Sequence, residues 1–146
     1  IQPIGLAARD TLRTEMKYSL YGNEIDDSTN AYEAGLGWVV KPKEKDFLGK
    51  DKILAYKEAG LKKKLVGLEI TGRGIARPHY KVFSFDKKES GEVTSGTLSP
   101  SLNKAIAIAW VESRDATPGT EVFVQVREKM VEARVVPTPF VKPGGQ

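Results

Sequence analysis

The sequence has no cysteine and a single histidine, His79, among its 146 residues. Without cysteine, the chain forms no disulfide and offers no thiolate as a nucleophile or a metal ligand. One histidine cannot build a histidine-based metal site, so we expect no bound metal. No apolar stretch reaches the roughly 18 residues that a membrane-spanning helix needs, and no signal peptide is recognisable. These absences argue against thiol enzymes, zinc modules and proteins with a transmembrane helix.

The residues that are present are typical of a soluble globular protein. Hydrophobic residues make up 40% and charged residues 29% of the chain, which suits one ordinary domain or two small ones. The net charge of +4 is spread along the chain, with one short lysine cluster at residues 62–64. Nucleic-acid-binding domains usually show a denser basic patch with interleaved aromatic residues. We therefore expect no nucleic acid partner and no membrane partner.

Residues 5–21 predict an amphipathic helix with an unusual distribution of charge. An apolar stripe at four-residue spacing comprises Ala8, Leu12, Met16 and Leu20. A parallel cationic stripe comprises Arg9, Arg13 and Lys17. Because a cation near a helix N-terminus opposes the helix dipole by about 0.3–1 kcal/mol, we expect Arg9 to meet an anionic ligand or a carboxylate elsewhere in the protein. The alternative is that the arginines are solvated, with Asp10 and Glu15 as local partners.

The rest of residues 1–60 predicts one further helix. Gly22-Asn23 supplies the left-handed residues that end the first helix at Tyr21. Beyond it, alternation predicts a short extended stretch at Leu36, Trp38 and Val40. A second helix is predicted from about Gly49 to Ala59, where Gly60 follows.

From Lys64 onward the hydrophobic period changes from 3.6 to 2, so we divide the chain into residues 1–60 and 61–146. Six short strands with intervening turn signals predict a small antiparallel β-barrel or sandwich. The first strand carries Val66, and the others cover residues 80–85, 92–95, 105–111, 122–126 and 130–136. The fold class is therefore α+β and mostly β, with a helical N-terminal segment followed by a six-stranded antiparallel barrel.

The segment GEVTSGTLSPSL, residues 91–102, combines two glycines with several hydroxyl side chains. It resembles a phosphate-binding loop only superficially, because it lacks the lysine and does not open a helix. We interpret it as a loop between strands, with Gly96 and Pro100 shaping its backbone.

Five separated motifs, in the same order, resemble those of one protein family. The first is GLAARDTLRTE followed by LYGNEID, and the later ones are EAGLGWVVK, DFLGK, VTSGTLSPSL and the closing PFV. This pattern resembles the glycine cleavage T-protein family of aminomethyltransferases. The resemblance covers essentially the whole chain but only the C-terminal part of the family's longer sequence. We therefore expect this chain to be a fragment that lacks the N-terminal part of the same enzyme.

The resemblance implies a fold and an activity. Residues 1–60 are expected to be the C-terminal part of a folate-binding domain, and residues 61–146 the terminal β-barrel domain. The implied cofactor is tetrahydrofolate and the implied partner is the lipoyl-carrying H-protein. The family transfers a one-carbon unit from the aminomethyl group on that lipoyl arm to tetrahydrofolate and releases ammonia. Its catalytic aspartate lies in the missing part, so we expect no catalytic residue here and no activity of the chain alone.

The resemblance also implies two cofactor contacts. Arg9 takes the place of the family's folate-contacting arginine, and Trp38 that of a tryptophan lining the folate pocket. From the residues alone, a tryptophan in a short apolar run could equally belong to the hydrophobic core. Next to them, Arg13 is expected to pair with an internal carboxylate, and Asp10 to orient Arg9 or to cap the first turn. Arg77 matches an arginine that we interpret as structural. We expect His79 to be solvated or hydrogen-bonded. Residues 62–64 or the cationic stripe could assist docking of the H-protein. The C-terminal tail, residues 142–146, departs from the family pattern.

Other functions remain open at this point. Dimethylglycine and sarcosine dehydrogenases share the folate module but not the lipoyl donor. A related folate-dependent protein of iron–sulfur assembly normally carries a reactive cysteine, which this chain lacks. A basic small-barrel nucleic-acid binder would be a third possibility. The expected location is the cytoplasm of a bacterium, or the mitochondrial matrix of a eukaryote.

Overall fold

The computed structural model describes residues 1–142 and contains a helical segment followed by a β-barrel. The helices are α1 (Leu6–Glu15) and α2 (Lys50–Glu58). The strands are β1 (Lys63–Ile70), β2 (Lys81–Ser84), β3 (Glu89–Ser99), β4 (Lys104–Glu112), β5 (Glu121–Val126) and β6 (Lys129–Val136). The strands pair antiparallel and close in the order β1-β4-β3-β2-β5-β6. The predicted fold class and the six-stranded barrel are confirmed.

Small and β-branched side chains fill the barrel. Val122 and Val124 of β5 point into this core, as the alternation predicted, together with Ala107 and Ala109 of β4. The opposite face of β4 is buried as well, because the N-terminal segment covers it: the Trp110 indole nitrogen donates to the Glu24 carbonyl over 3.2 Å. Burial on both faces explains why β4 is the most continuously apolar strand of the chain. Within residues 1–142, neither helix has the length and apolarity that crossing a bilayer requires.

Helix α1 ends six residues before the predicted end at Tyr21. Lys17 adopts the left-handed conformation, with φ of 54°. Two hydrogen bonds close the end: Tyr18 N donates to Arg13 O over 2.8 Å, and Lys17 N to Thr14 O over 2.9 Å. This pair of bonds is the Schellman motif, which usually has glycine at the left-handed position. The prediction was wrong because a lysine occupies that position and Gly22, with φ of 89°, belongs to a later turn.

The predicted extended stretch at Leu36, Trp38 and Val40 is also wrong, because residues 31–39 form consecutive turns. Leu36 N donates to Ala31 O over 2.8 Å, and Val39 N to Leu36 O over 3.0 Å. Gly35 allows this path with its φ of 77°. An alternating pattern of five residues is too short to distinguish a strand from such turns, and here Trp38 and Val39 are both exposed. The second predicted helix, by contrast, is confirmed as α2.

Strand β3 is longer than predicted and replaces residues 91–99 of the predicted loop, whereas residues 100–102 lie in a turn. Its turn from β2 is closed earlier, where Lys87 N donates to Ser84 O over 2.9 Å. Gly91 and Gly96 lie inside the strand, and each faces another backbone. A Cβ on Gly91 would overlap the Trp110 carbonyl oxygen, and one on Gly96 the Ala76 carbonyl oxygen. These glycines therefore mark close backbone approaches within a strand and not turns.

The turns around β5 and β6 differ slightly from expectation. Thr120 N donates to Thr117 O over 3.0 Å, and Gly119 has φ of 98°, so the predicted Thr117–Thr120 turn is confirmed. The hairpin between β5 and β6 turns at Arg127 and Glu128, since Val126 pairs with Lys129. The predicted turn at Glu128-Lys129 is therefore displaced by one residue.

Candidate ligand-binding site

Helix α1 packs on the barrel with its polar side inward. Thr14 is 0% and Glu15 3% exposed, and Arg13 is buried beside them, whereas Leu12 is 59% exposed. An amphipathic helix on a water-soluble domain normally buries its apolar stripe. Here the stripe predicted from the sequence exists, but it faces away from the barrel.

The outward side of α1 forms an open groove of about 560 Å³. Its wall is mostly apolar and comprises Ile4, Ala8, Leu12, Met16, Tyr18 and Leu20. Arg9 lies at this wall and is exposed. Among the residues that the structure describes, no carboxylate lies within ion-pair distance of Arg9. An apolar wall with an unpaired guanidinium suits a ligand that has a flat ring and an anionic or hydrogen-bonding edge.

Arg13 lies one turn after Arg9, and its guanidinium bonds only to groups of the described protein. Its Nη1 donates to Glu24 Oε2 over 2.8 Å and to the Tyr18 carbonyl over 3.2 Å. Its Nε donates to Asp10 Oδ1 over 2.8 Å, and Nη2 to Ser95 Oγ over 2.8 Å. Nη2 also lies 2.6 Å from Asp10 Oδ1. A guanidinium has five N–H donors, so Arg13 has none left for a ligand and pairs with an internal carboxylate as predicted.

Asp10 does not orient Arg9, contrary to the sequence-based expectation. Its carboxylate bonds to Arg13, and its carbonyl accepts a bond from Thr14 Oγ1 over 2.8 Å. Asp10 and Arg13 lie three residues apart, which places their side chains next to each other on the helix. Arg9 therefore projects into the groove without this carboxylate.

Glu24 is the buried centre of the contact between the N-terminal segment and the barrel. Besides Arg13, its Oε2 accepts a bond from Leu20 N over 2.8 Å. Its Oε1 accepts bonds from Thr94 Oγ1 over 2.8 Å and from Ser95 Oγ over 2.5 Å. Consecutive strand residues normally point to opposite faces, but the register of β3 shifts between Val93 and Ser95. This bulge lets two neighbouring hydroxyls reach one carboxylate oxygen.

Glu15 makes a second contact of the same kind at the C-terminal end of α1. Its carboxylate accepts bonds from Ser99 Oγ over 2.5 Å and from Ser101 Oγ over 2.9 Å. Its carbonyl accepts a bond from Phe140 N over 2.9 Å, so the segment after β6 also ends against the helix. The hydroxyls of residues 94–101 thus bind the charged side of α1, and the sequence-based interpretation of this segment missed that role. Hydroxyls repeated along a strand, beside a helix with inward charges, were the available signal.

Trp38 is 75% exposed and lies in the turns at residues 31–39. It is not among the residues that line the groove of Arg9. The structure therefore places the two predicted cofactor contacts on separate parts of the N-terminal segment, each exposed.

Lys17 of the cationic stripe is half-buried and faces inward. Its Nζ would lie 3.4 Å from a Cβ placed on Gly35. Burial lowers the pKa of Lys17, and the Glu24 carboxylate nearby opposes part of this shift. Lys17 therefore adds little to the exposed positive charge beside Arg9.

A cavity of about 660 Å³ lies at one end of the barrel and is strongly cationic. Four basic side chains line it, Arg73, Arg77, Arg127 and Lys129, against one acidic residue, Glu128. They come from the loop between β1 and β2 and from the β5–β6 hairpin. The sequence pattern did not reveal this cluster, because its two pairs, Arg73 with Arg77 and Arg127 with Lys129, lie about fifty residues apart in the chain and only the fold brings them together.

The remaining predictions concern His79, metal binding and the C-terminal tail. His79 is exposed, and its Nδ1 lies 2.9 Å from Glu92 Oε1, which confirms a hydrogen-bonded histidine. Within residues 1–142, no cluster of three or more His, Cys, Asp and Glu side chains is placed to hold a metal ion. The end of the C-terminal tail, residues 143–146, lies outside the described residues.

Comparisons with known proteins agree with this arrangement of a helical segment on a barrel. Residues 63–142 match the family model described as the glycine cleavage T-protein C-terminal barrel domain. The chain belongs to the glycine cleavage T-protein family. Residues 1–44 match the model of the GCVT N-terminal domain, which contains the α1 groove and Trp38.

Similar proteins of this T-protein family are named aminomethyltransferases. One from Bdellovibrio bacteriovorus is 59% identical over 94% of this chain. One from Bacillus mycoides is 50% identical over 97% of it. The crystal structure of the glycine cleavage system aminomethyltransferase T from Bartonella henselae superposes with a TM-score of 0.89 at 34% identity, covering 94% of this chain. The chain spans only 38% and 39% of the length of the two relatives and 39% of the crystallised chain.

Proposed function

We propose that this chain is part of a tetrahydrofolate-dependent aminomethyltransferase of the glycine cleavage system. The whole enzyme transfers the one-carbon unit of an aminomethyl group, carried on the lipoyl arm of the H-protein, to tetrahydrofolate and releases ammonia. The names of the similar proteins support the transferase class. The observation that carries the cofactor assignment is the unpaired Arg9 guanidinium at the apolar groove of α1.

The groove of α1 has the chemistry that a folate requires. Folates combine a pterin ring, an aminobenzoyl ring and a glutamate tail with carboxylates. Apolar side chains such as Ala8 and Met16 contact a ring, and Arg9 binds a carboxylate or the polar edge of the pterin. Trp38 is proposed as a second contact, because a largely exposed indole can stack on a ring once the rest of the protein is in place.

The chain alone is proposed to be inactive. The carboxylates nearest the groove are held elsewhere: Asp10 and Glu24 by Arg13, and Glu15 by serines of the barrel. None of these is available to steer a proton on a bound folate. The chain's proposed role is therefore to bind and orient, in the cytoplasm of a bacterium or in the mitochondrial matrix.

The test is the folate affinity of Arg9→Ala and Trp38→Ala in the full-length protein that contains this chain. Loss of a charge-assisted hydrogen bond costs about 1.5–3 kcal/mol, so Arg9→Ala should weaken binding roughly tenfold or more. Arg114→Ala is the matched control, because Arg114 is a half-exposed arginine of the barrel, paired only with Glu112 and Asp115. Folate binding by Arg9→Ala within twofold of the wild type would refute the assignment.

We further propose that the cationic cavity at the end of the barrel docks the H-protein, which is usually acidic. Arg73, Arg77, Arg127 and Lys129 concentrate positive charge around a recess, whereas Lys63 of the lysine cluster is engaged over the Trp110 ring at 4.7 Å. A concave basic surface attracts an acidic partner over a distance of about a Debye length.

Reversing two of these charges tests the docking surface. Arg127→Glu with Lys129→Glu should raise the KM for the H-protein about tenfold at low salt, and less at high salt, because salt screens the attraction. Lys62→Glu with Lys64→Glu is the matched control and also tests the lysine cluster. A larger effect of the second pair than of the first would transfer the docking site to the lysine cluster.

A further inference from the structure

The contact between α1 and the barrel is built from charged groups that are almost wholly removed from water. Arg13 is 8% exposed and Glu24 is 1% exposed. Between them they bond to Asp10 on the helix and to Thr94 and Ser95 on β3. Burying such charges is costly unless every partner is in place, and no buried side-chain polar atom in the described residues lacks a hydrogen-bond partner.

This network determines the rotation of α1 about its axis. An apolar contact would let the helix rotate or slide with little change in energy, whereas the bonds of Arg13 are directional. A rotation of one residue position, about 100°, would withdraw Arg13 from Glu24 and Ser95 together. With α1 held in this orientation, the preceding turn presents Arg9 to the groove.

We propose that Arg13, Glu24 and Ser95 are positioning residues for Arg9: the barrel, through these three side chains, orients the helix that contacts the cofactor. This inference rests on the proposed contact between Arg9 and folate. The positioning role also explains the bulge in β3, because the bulge lets both Thr94 and Ser95 bond to Glu24. A flat strand would offer only one of the two hydroxyls.

The experiment is a double-mutant cycle in the full-length protein, read as the dissociation constant of tetrahydrofolate. Glu24→Gln keeps the shape of the side chain and removes its charge, and Ser95→Ala removes the hydroxyl that bonds to both Arg13 and Glu24. Each should weaken folate binding about fivefold or more in the wild-type background. In the Arg9→Ala background, the same changes should alter affinity by less than about twofold, because the group that they orient is gone.

The control is Arg134→Lys, since Arg134 is half-exposed and its guanidinium forms an ion pair with Glu121 at 3.3 Å, on the barrel. Arg13→Lys is a further test variant, because it retains the charge but not the planar guanidinium. It should weaken folate binding as Ser95→Ala does. Each variant is compared at a temperature at which its circular dichroism matches the wild type, which separates positioning from unfolding.

Three results have distinct meanings. Non-additive losses, as described, support positioning. Losses that simply add to that of Arg9→Ala overturn the positioning role and leave the folate assignment intact. If Arg9→Ala itself binds folate normally, the proposed function fails first, and the positioning role fails with it.

Discussion

Glycines inside β3 show how a single atom decides local structure. Gly91 sits against the Trp110 carbonyl oxygen, with no space for a Cβ. Its partner in the strand register is Val111, a fully buried residue of β4. A sequence pattern marks glycine as a break, since turns are its commonest use. The role of Gly91 depends instead on a strand that lies twenty residues later.

We predict that Gly91→Ala destabilises the protein by about 2–3 kcal/mol, because the added methyl group forces two hydrogen-bonded strands apart. Thermal or urea unfolding measures the change. Gly5→Ala is the control: a Cβ there meets no atom within 4 Å and φ is −72°, so only a few tenths of a kcal/mol are expected. Equal effects at both positions would contradict the packing explanation.

At the scale of elements, α1 and β3 have complementary polar side chains. Arg13 and Glu15 of the helix face the strand, where they bond to Ser95 and Ser99, respectively. The apolar stripe of the helix is consequently left outside. An exposed apolar face next to a polar contact is unusual for a monomeric domain. Because similar proteins are more than twice as long as this chain, we infer that additional residues of the full-length protein cover part of it.

A substitution at Leu12 tests whether the apolar stripe of α1 is exposed or covered in the full-length protein. Leu12→Ala should change the stability of the chain 1–146 by no more than about 0.5 kcal/mol, because Leu12 is exposed there. In the full-length protein the same change should cost about 2 kcal/mol or more, since a buried leucine leaves a cavity. Urea unfolding of both proteins provides the comparison.

The control for this comparison is Leu68→Ala. Leu68 is 0% exposed in the barrel, so its loss should be large and similar in both proteins. If Leu12→Ala has the same small effect in each, the stripe stays exposed in the full-length protein and the inferred covering is wrong.

At the scale of the whole molecule, the barrel and the N-terminal segment differ in how they are stabilised. The barrel closes on itself and buries its own core of small apolar residues. The segment before it has α2 with no buried residue and α1 with buried charges. Its order therefore depends on directional bonds to the barrel and not on a hydrophobic core of its own.

This difference explains which predictions succeeded. Strands β1, β4, β5 and β6 were recognisable because alternation is a property of neighbouring residues, and Val122 and Val124 show it within three positions. Helix α2 was recognisable from its flanking glycines, Gly49 and Gly60. The early end of α1 was not, because the left-handed position carries Lys17, a residue type that gives no local signal.

Local patterns were thus sufficient to specify the barrel and the second helix, because the physics of alternation and capping acts over a few residues. Only the folded chain decided which side of α1 faces inward, which carboxylate holds Arg13, and where the basic residues of the barrel converge. These outcomes depend on surfaces contributed by distant segments: Glu24 meets Ser95 across 71 positions of the chain. The free energy of a buried charge is set by such partners, and no window of neighbouring residues contains them.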